Sequence, residues 1–574
     1  QKLENILNVS LDATEDELRK ADSLSTGYNW RDNTWEIIVK YSGSLESIRN
    51  RYNVYIKELL NYYAIIVADK ATIELISQED VIDYVEKPKS LYYQIERTKT
   101  AACVGSVRAD GNILSGKGVI VGVIDTGIDI FDNAFRNSDG TTRILNIYDQ
   151  TTGEKYDKQS IDEYIRLNED LSGGTFSYDN APGVDNIMHG TDVSYIAAGS
   201  LGVAYEADII AVKMGYSINN QFPRTTSLMD AIDYIIRKAI EYRKPVAVNI
   251  SYGCNYGAHN GNTLLESFID DISKSYRCVI CVGSGNEADK AIHFGGIINT
   301  GQVQTAYLSV GEYQSAIDIQ IWKNYWDTID VMLINPRGEQ IGIITEGRIN
   351  RYETYNTEII TLLGEPSPYN IYQEIYINLI PKADYILSGI WQIVLMAGSI
   401  RAGEYNIWLP SSQALGYATA FNNPTADGTI TIPATARNCI AVGAYNAYTN
   451  SYAAFSGRGF DNSIRNVNAG VKPDITAPGV DISIARQRGN DITYRNVTGT
   501  SYAVPVVTGA AALLMQWGIV MGNDRFMYGE KLKAALIDGS KPVGLVGITR
   551  NDNQPDPRTG WGAVCLKNTL NKIL

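Results

Sequence analysis

The sequence predicts an α/β protein: a parallel sheet with helices on both faces, preceded by a small α+β unit and interrupted by an all-β unit. Three observations predict this. From about residue 116, short and continuously apolar segments alternate with helical ones, and strands apolar on both sides belong to parallel sheets covered on both faces. Residues from about 301 to 425 break that rhythm with short alternating strands and turns, the pattern of a β-sandwich. The segment up to about residue 94 has a third character, with strand and helix signals by turns.

In that first segment, Glu36 to Tyr41 alternates like a strand, Leu45 to Tyr52 has helical spacing, and Tyr62 to Ala68 is a second strand. Ala71 to Gln78 is helical and opens after Asp69; Val81 to Val85 is a strand ended by Pro88. Together these predict a small sheet with two helices on one face. Before them, Asp12 to Ala21 reads as an exposed helix. In the α/β part, Val119 to Ile124, a strand within Ala204 to Met214, Pro245 to Ile250 and Cys278 to Val282 are buried strands, with Ser227 to Arg243 as a covering helix. The β unit shows Ala316 to Ile321, Asp330 to Ile334, Gln340 to Ile344, Tyr372 to Leu379, Trp391 to Met396 and Glu404 to Leu409, and the α/β pattern resumes near Thr431. The expected domains are 1–94, 95–300, 301–428 and 429–574.

The chain has 574 residues, 44% of them hydrophobic, and a net charge of −14. The acidic balance argues against nucleic acid as a main partner, because phosphate binding needs clustered Lys and Arg. The longest uncharged apolar run, Val504 to Gly522, contains Pro505, Gln516 and several glycines, and reads as a buried helix rather than a membrane span. Six cysteines are too few for a disulfide scaffold. Cys278 and Cys281 form a Cys-x-x-Cys within Arg277-Cys278-Val279-Ile280-Cys281-Val282, which reads as small apolar packing in a strand. With three histidines and no second such pair, no zinc site is expected.

Three segments carry chemistry. Val123-Ile124-Asp125-Thr126-Gly127 puts an acid at the end of a buried strand; His189-Gly190-Thr191-Asp192 opens a helix; Gly499-Thr500-Ser501-Tyr502-Ala503-Val504-Pro505 puts a serine at a helix start after a glycine turn. Serine is a poor nucleophile at neutral pH and needs a base within reach and an acid to orient that base. A helix N-terminus adds N–H groups and partial positive charge near a developing oxyanion. Asn286, in Cys281-Val282-Gly283-Ser284-Gly285-Asn286-Glu287 after a buried strand, supplies a side-chain amide donor. Singly, an Asp caps turns, a His opens helices and a Ser is an ordinary N-cap; jointly, in the order Asp, His, Ser, they read as a protease site. His259 and His293 have no comparable context and read as structural or surface residues.

These segments resemble the subtilisin family of serine proteases. The resemblance extends to Gly202-Val203-Ala204 through Ala211-Val212-Lys213, Asn249-Ile250-Ser251-Tyr252-Gly253, and Lys472-Pro473-Asp474-Ile475-Thr476-Ala477-Pro478-Gly479, over about 95–300 and 430–574. It implies a triad of Asp125, His189 and Ser501, with Asn286 as oxyanion donor and Thr500 and Pro505 supporting geometry. It also implies that Ser251, Tyr252 and Gly253 wall the first specificity pocket, with Gly283, Ser284 and Gly285 opposite. Only twelve residues separate His189 from Gly202; the longer calcium-binding loop of many subtilisins is absent, so no metal and no cofactor are expected.

The first segment resembles a subtilisin propeptide, with Tyr84-Val85-Glu86 as its last strand and its tail bound in the active-site groove. Processing is expected after Gln94, which Tyr92 and Tyr93 precede. A retained propeptide, a subtilisin core and a jelly-roll insertion resemble the clostridial germination-specific proteases of the Csp group. That resemblance implies a spore-associated enzyme activating the zymogen of a spore-cortex hydrolase; the alternatives are a secreted digestive or peptide-processing protease, or a propeptide-blocked chain acting as a binding protein.

Overall fold

The structure, a computed structural model, describes residues 2–15, 18, 25, 27–59, 62–88, 99–105, 108–109, 112–169, 181–215, 223–344, 349–366, 370–460, 471–488, 491–544 and 555–574. It divides into two compact units, Gln1–Tyr93 and Gln94–Leu574.

The first unit is a five-stranded antiparallel sheet in which Thr34–Tyr41 pairs with both Tyr63–Ala68 and Ile82–Glu86. Thr34–Tyr41 alternates in burial, so Trp35, Ile37, Val39 and Tyr41 join Ile48, Ile66, Ile73, Ile76 and Val85 in one apolar core. Asp69 caps the helix Lys70–Gln78 by accepting a 2.9 Å hydrogen bond from the Thr72 N–H. The strand Tyr55–Leu59 gave too little apolar signal to be read beforehand. A helix Asn5–Asp12 leads the unit, with Leu7 and Leu11 buried in the core; within the expected window Asp12 to Ala21, Glu15 and Leu18 are helical, and Leu18 is buried rather than exposed. Most of the window expected to be helical lies outside the described residues.

The second unit is built on a nine-stranded sheet. Its parallel heart runs Ile144–Asp149, Asp208–Lys213, Ile120–Asp125, Val246–Ile250, Cys278–Gly283 and Ile440–Asn446, with Ile475–Pro478 also pairing Ile440–Asn446. One face is covered by the helices His189–Ala198 and Thr500–Met515. Thr225–Tyr242 and Leu264–Ser275 cover the other. The apolar stretch Thr500–Val520 is long enough to cross a membrane, but 89% of it is buried inside the protein. Cys278 and Cys281 are buried in their strand. Cys103 and Cys565 form a disulfide; spacing gave no hint of it, because the two residues are 462 positions apart.

Between Cys278–Gly283 and Ile440–Asn446 the chain makes two further antiparallel sheets of six and five strands. They share one core of apolar side chains, among them Leu308, Ile319, Val331, Ile377, Trp391 and Ile407. The six-stranded sheet already begins with His293–Ile297, which pairs with Glu404–Trp408. His259 and His293 are both buried, stacked on Trp408 with ring centroids 4.1 and 5.0 Å away, so they are seam residues of the interior rather than surface ones. A buried carboxylate ties this region's turns: Asp327 accepts from the backbone N–H groups of Arg401, Ala402 and Gly403 at 2.6, 3.0 and 2.7 Å. Buried donors left without an acceptor cost about 1–3 kcal/mol. Asp327→Ala is therefore expected to lower the melting midpoint of the catalytic unit by roughly 1–4 °C, measured by calorimetry.

Candidate active site

Asp125 is the last residue of the strand Ile120–Asp125 and is buried. His189 is the first residue of the helix His189–Ala198. The His189 Nδ1 lies 2.6 Å from Asp125 Oδ1, and Asp125 Oδ1 also accepts from the Thr126 N–H at 2.7 Å. Such an approach of helix start to strand end leaves no room for a side chain. A Cβ on Gly190 would stand 2.3 Å from the Gly127 carbonyl oxygen and 2.9 Å from Asp125 Cβ. Gly127 itself has φ +131°, and a Cβ there would stand 2.4 Å from the Gly183 carbonyl oxygen.

Asp185, which the sequence did not single out, organises this junction. Its Oδ1 accepts from Thr126 Oγ1 (2.8 Å), Met188 N–H (2.7 Å) and Ile187 N–H (3.2 Å); its Oδ2 accepts from Thr191 N–H and Oγ1 (2.8 and 2.7 Å). Thr126 Oγ1 in turn accepts from the Gly190 N–H at 2.9 Å. Only a carboxylate has the acceptor capacity for five donors. The one local signal was an Asp placed just ahead of a helix start.

Ser501 is the second residue of the helix Thr500–Met515. Its neighbour Tyr502 packs on the His189 ring, with centroids 5.3 Å apart. Pro505 lies four residues on and has no N–H to return to the Ser501 carbonyl. Ser251 Oγ donates to that carbonyl instead, at 3.4 Å, and is itself held by Asn249 Nδ2 at 3.0 Å. Asn286 Oδ1 accepts from both Thr500 N–H (3.0 Å) and Thr500 Oγ1 (3.1 Å). With its oxygen occupied on the protein side, the amide must turn its Nδ2 donor the other way.

Ser251, Tyr252 and Gly253 follow the strand Val246–Ile250, and Ser284, Gly285 and Asn286 follow Cys278–Gly283. These two strands are paired neighbours, so the two segments leave the sheet side by side. Thr431, unnoticed in the sequence, stands between them. A Cβ on Gly253 would lie 2.4 Å from Thr431 Oγ1, and one on Gly285 would lie 2.6 Å from Thr431 Cγ2. The Thr431 N–H donates to the Ser284 carbonyl at 3.1 Å, and Cys254 and Ile432 exchange backbone bonds of 2.9 and 2.8 Å. Gln94 lies outside the described residues.

Burial works against a charged His189. The charge and hydrogen bond of Asp125, reinforced by Asp185 and Asp192, outweigh it and hold the imidazole pKa above its ordinary value.

The fold defines a subtilisin-like protein. Residues 1–89 match the family described as Csp protease B prodomain, and residues 116–366 and 402–562 match the Subtilase family. The chain belongs to the subtilase family and carries a Csp-type prodomain. Among solved structures it is similar to the Clostridium perfringens CspB protease, with 34% identity, a TM-score of 0.75, and coverage of 83% of this chain and 97% of that one. Among curated proteins it is similar to the subtilase-type proteinase RRT12 of Saccharomyces cerevisiae, 33% identical over 128 residues. It is also similar to subtilisin-like protease 10 of Arthroderma otae, 34% identical over 120 residues. These matches take in 22% and 21% of this chain, and the chain spans only 23% and 27% of the length of those two relatives.

With His189 as the general base, which works only when neutral, its raised pKa is expected to put the acid limb of kcat/KM above the ordinary histidine value of about 6.5. Asp125→Asn, which removes the first charge favouring imidazolium, is expected to move that limb to lower pH and to cut kcat by about 10⁴, measured on a chromogenic peptide across pH 5–9.

Proposed function

We propose that the chain is a serine endopeptidase acting through Asp125, His189, Ser501 and Asn286, and that it processes its own N-terminal unit near Gln94. The observation that carries this is the 2.6 Å contact of His189 Nδ1 with Asp125, with the Tyr502 ring bringing the start of the serine's helix against the same imidazole. Asp125 accepts a hydrogen bond from the Nδ1–H and so leaves Nε2 as the base. Ser501 Oγ attacks the scissile carbonyl and gives its proton to Nε2. The oxygen that becomes negative accepts from Asn286 Nδ2 and the Ser501 N–H at the positive end of its helix. The imidazolium then protonates the leaving amine, and an acyl-enzyme remains. Water, deprotonated by His189, hydrolyses the ester and restores Ser501.

In this reading residues 1–94 are the propeptide, 95–300 and 429–574 the catalytic core, and 301–428 an inserted jelly roll. The Csp-type prodomain and the likeness to the CspB protease support a spore-associated enzyme whose substrate is a protein zymogen, such as that of a spore-cortex hydrolase. Thr431, standing between Gly253 and Gly285, floors the first specificity pocket. It limits that pocket to slender side chains, among which an unbranched Gln fits.

Three experiments test this. Wild-type chain purified from a host is expected to begin after Gln94 by N-terminal sequencing, whereas Ser501→Ala stays joined; intact wild-type chain overturns self-processing. Asn286→Ala is expected to lose about 10²–10³ in turnover. On a peptide library the wild type should cleave poorly after Phe, Tyr and Trp, and Thr431→Gly should gain at least about tenfold on those residues, the range one to two methylenes of pocket space supply.

A further inference from the structure

The hairpin formed by Ile482–Arg488 and Asp491–Val497 lies between the last core strand and Ser501. Its neck is closed by the Gly499 N–H donating to the Gly479 carbonyl at 2.8 Å. Three arginines on it reach the elements that carry the histidine. Arg486 Nε donates to Asp192 Oδ1 at 3.0 Å, its Nη2 bonds the same carboxylate, and Nη2 also donates to the Met188 carbonyl at 2.9 Å. Met188 is the residue before His189 and holds φ +67°; Asp192 lies on the same helix face one turn after His189. Arg495 pairs with the other Asp192 oxygen and hydrogen-bonds the Tyr502 side chain. Arg488 pairs with Asp129 at 2.6 Å, and the Asp129 N–H donates to Thr191 Oγ1 at 3.0 Å.

Asp192 is wholly buried. A buried ion pair is an inefficient source of stability, because desolvation offsets most of the attraction. What a forked, bidentate arginine supplies is a fixed distance and angle. Here the fixed distance runs from the hairpin that leads into Ser501 to the helix that begins at His189. We propose that this hairpin is a positioning element for the catalytic site: Arg486 and Arg495 clasp Asp192 and so hold His189 in line with Ser501. The inference rests on the triad reading above. Arg486 and Arg495 act through Asp192, Met188 and Tyr502. Among the described residues, the charged and titratable groups facing His189 are Asp125, Asp185, Asp192 and Tyr502, with the two arginines behind Asp192.

The test follows the rate at which a small fluorophosphonate labels Ser501 in the full-length chain, as a function of pH, beside the melting midpoint. Arg486→Met is expected to label at least tenfold more slowly at a temperature where it stays folded. Arg486→Lys keeps the charge but not the fork that spans Asp192 and the Met188 carbonyl, and is expected to remain at least threefold slow. Asp192→Asn removes a carboxylate facing the imidazole and is expected to move the acid limb of labelling to lower pH. Arg495→Met, at the more exposed partner, guards against simple unfolding and should slow labelling at an unchanged melting midpoint. Labelling of folded Arg495→Met and Asp192→Asn within twofold of wild type, with an unmoved pH profile, overturns the clasp and leaves the protease reading standing. A wild type that does not label at Ser501, even freed of residues 1–94, removes both.

Discussion

The contact between Asp125 and His189 constrains much of what surrounds it. It requires that a helix begin almost on top of a strand's end. Glycine at positions 127 and 190 is the steric answer, since any Cβ would meet backbone at closer than contact distance. Asp185 is the polar answer: one carboxylate gathers the donors of the strand exit and the helix entry, which burial would otherwise leave unpaired. The same economy recurs around the serine. Pro505 frees the Ser501 carbonyl from its helical partner, and Ser251, at the edge of the neighbouring strand, takes it up.

How much of this was legible beforehand depends on the range of each interaction. The buried parallel strands were legible because apolarity on both faces is a local property of Val119 to Ile124 or Cys278 to Val282. The residues Asp125, His189, Ser501 and Asn286 could be named because each sits in a short segment whose glycines mark a strand exit or helix entry. Asp185, Thr431 and the Arg486–Asp192 pair escaped for the opposite reason: they have partners as far as 59 and 294 positions away, and an isolated Asp, Thr or Arg resembles any surface residue. The helix Asn5–Asp12 was not anticipated; it is set by Leu7 and Leu11 entering the core. Burial of His259 and His293 was invisible too, since what covers them is Trp408, from a strand over a hundred residues away.

The two sheets that interrupt the nine-stranded sheet enter and leave it close to the segments Ser251–Gly253 and Ser284–Asn286. The latter follows the core strand Cys278–Gly283, and Thr431, ahead of the returning strand Ile440–Asn446, stands between Gly253 and Gly285. The His259–Trp408–His293 stack joins both parts of the chain behind that segment, and His259 Nδ1 donates to the Ile430 carbonyl at 2.7 Å, next to Thr431. Burial drives the His259 pKa down to about 4, so this support is neutral throughout the ordinary pH range. The inserted sheets thus brace the segment at Ile430 and Thr431 through uncharged, stacked and hydrogen-bonded contacts.

The disulfide between Cys103 and Cys565 has a topological consequence. It closes almost the whole second unit into a covalent ring, with the triad, Asn286 and the inserted sheets all inside. A single peptide bond broken within the ring leaves both fragments tethered, so the enzyme can be nicked and still remain one molecule. A bond broken at Gln94 lies outside the ring and severs the chain outright. The crosslink therefore divides peptide bonds into those whose loss is mechanically silent and those whose loss sets a piece free, and the expected processing point falls in the second class.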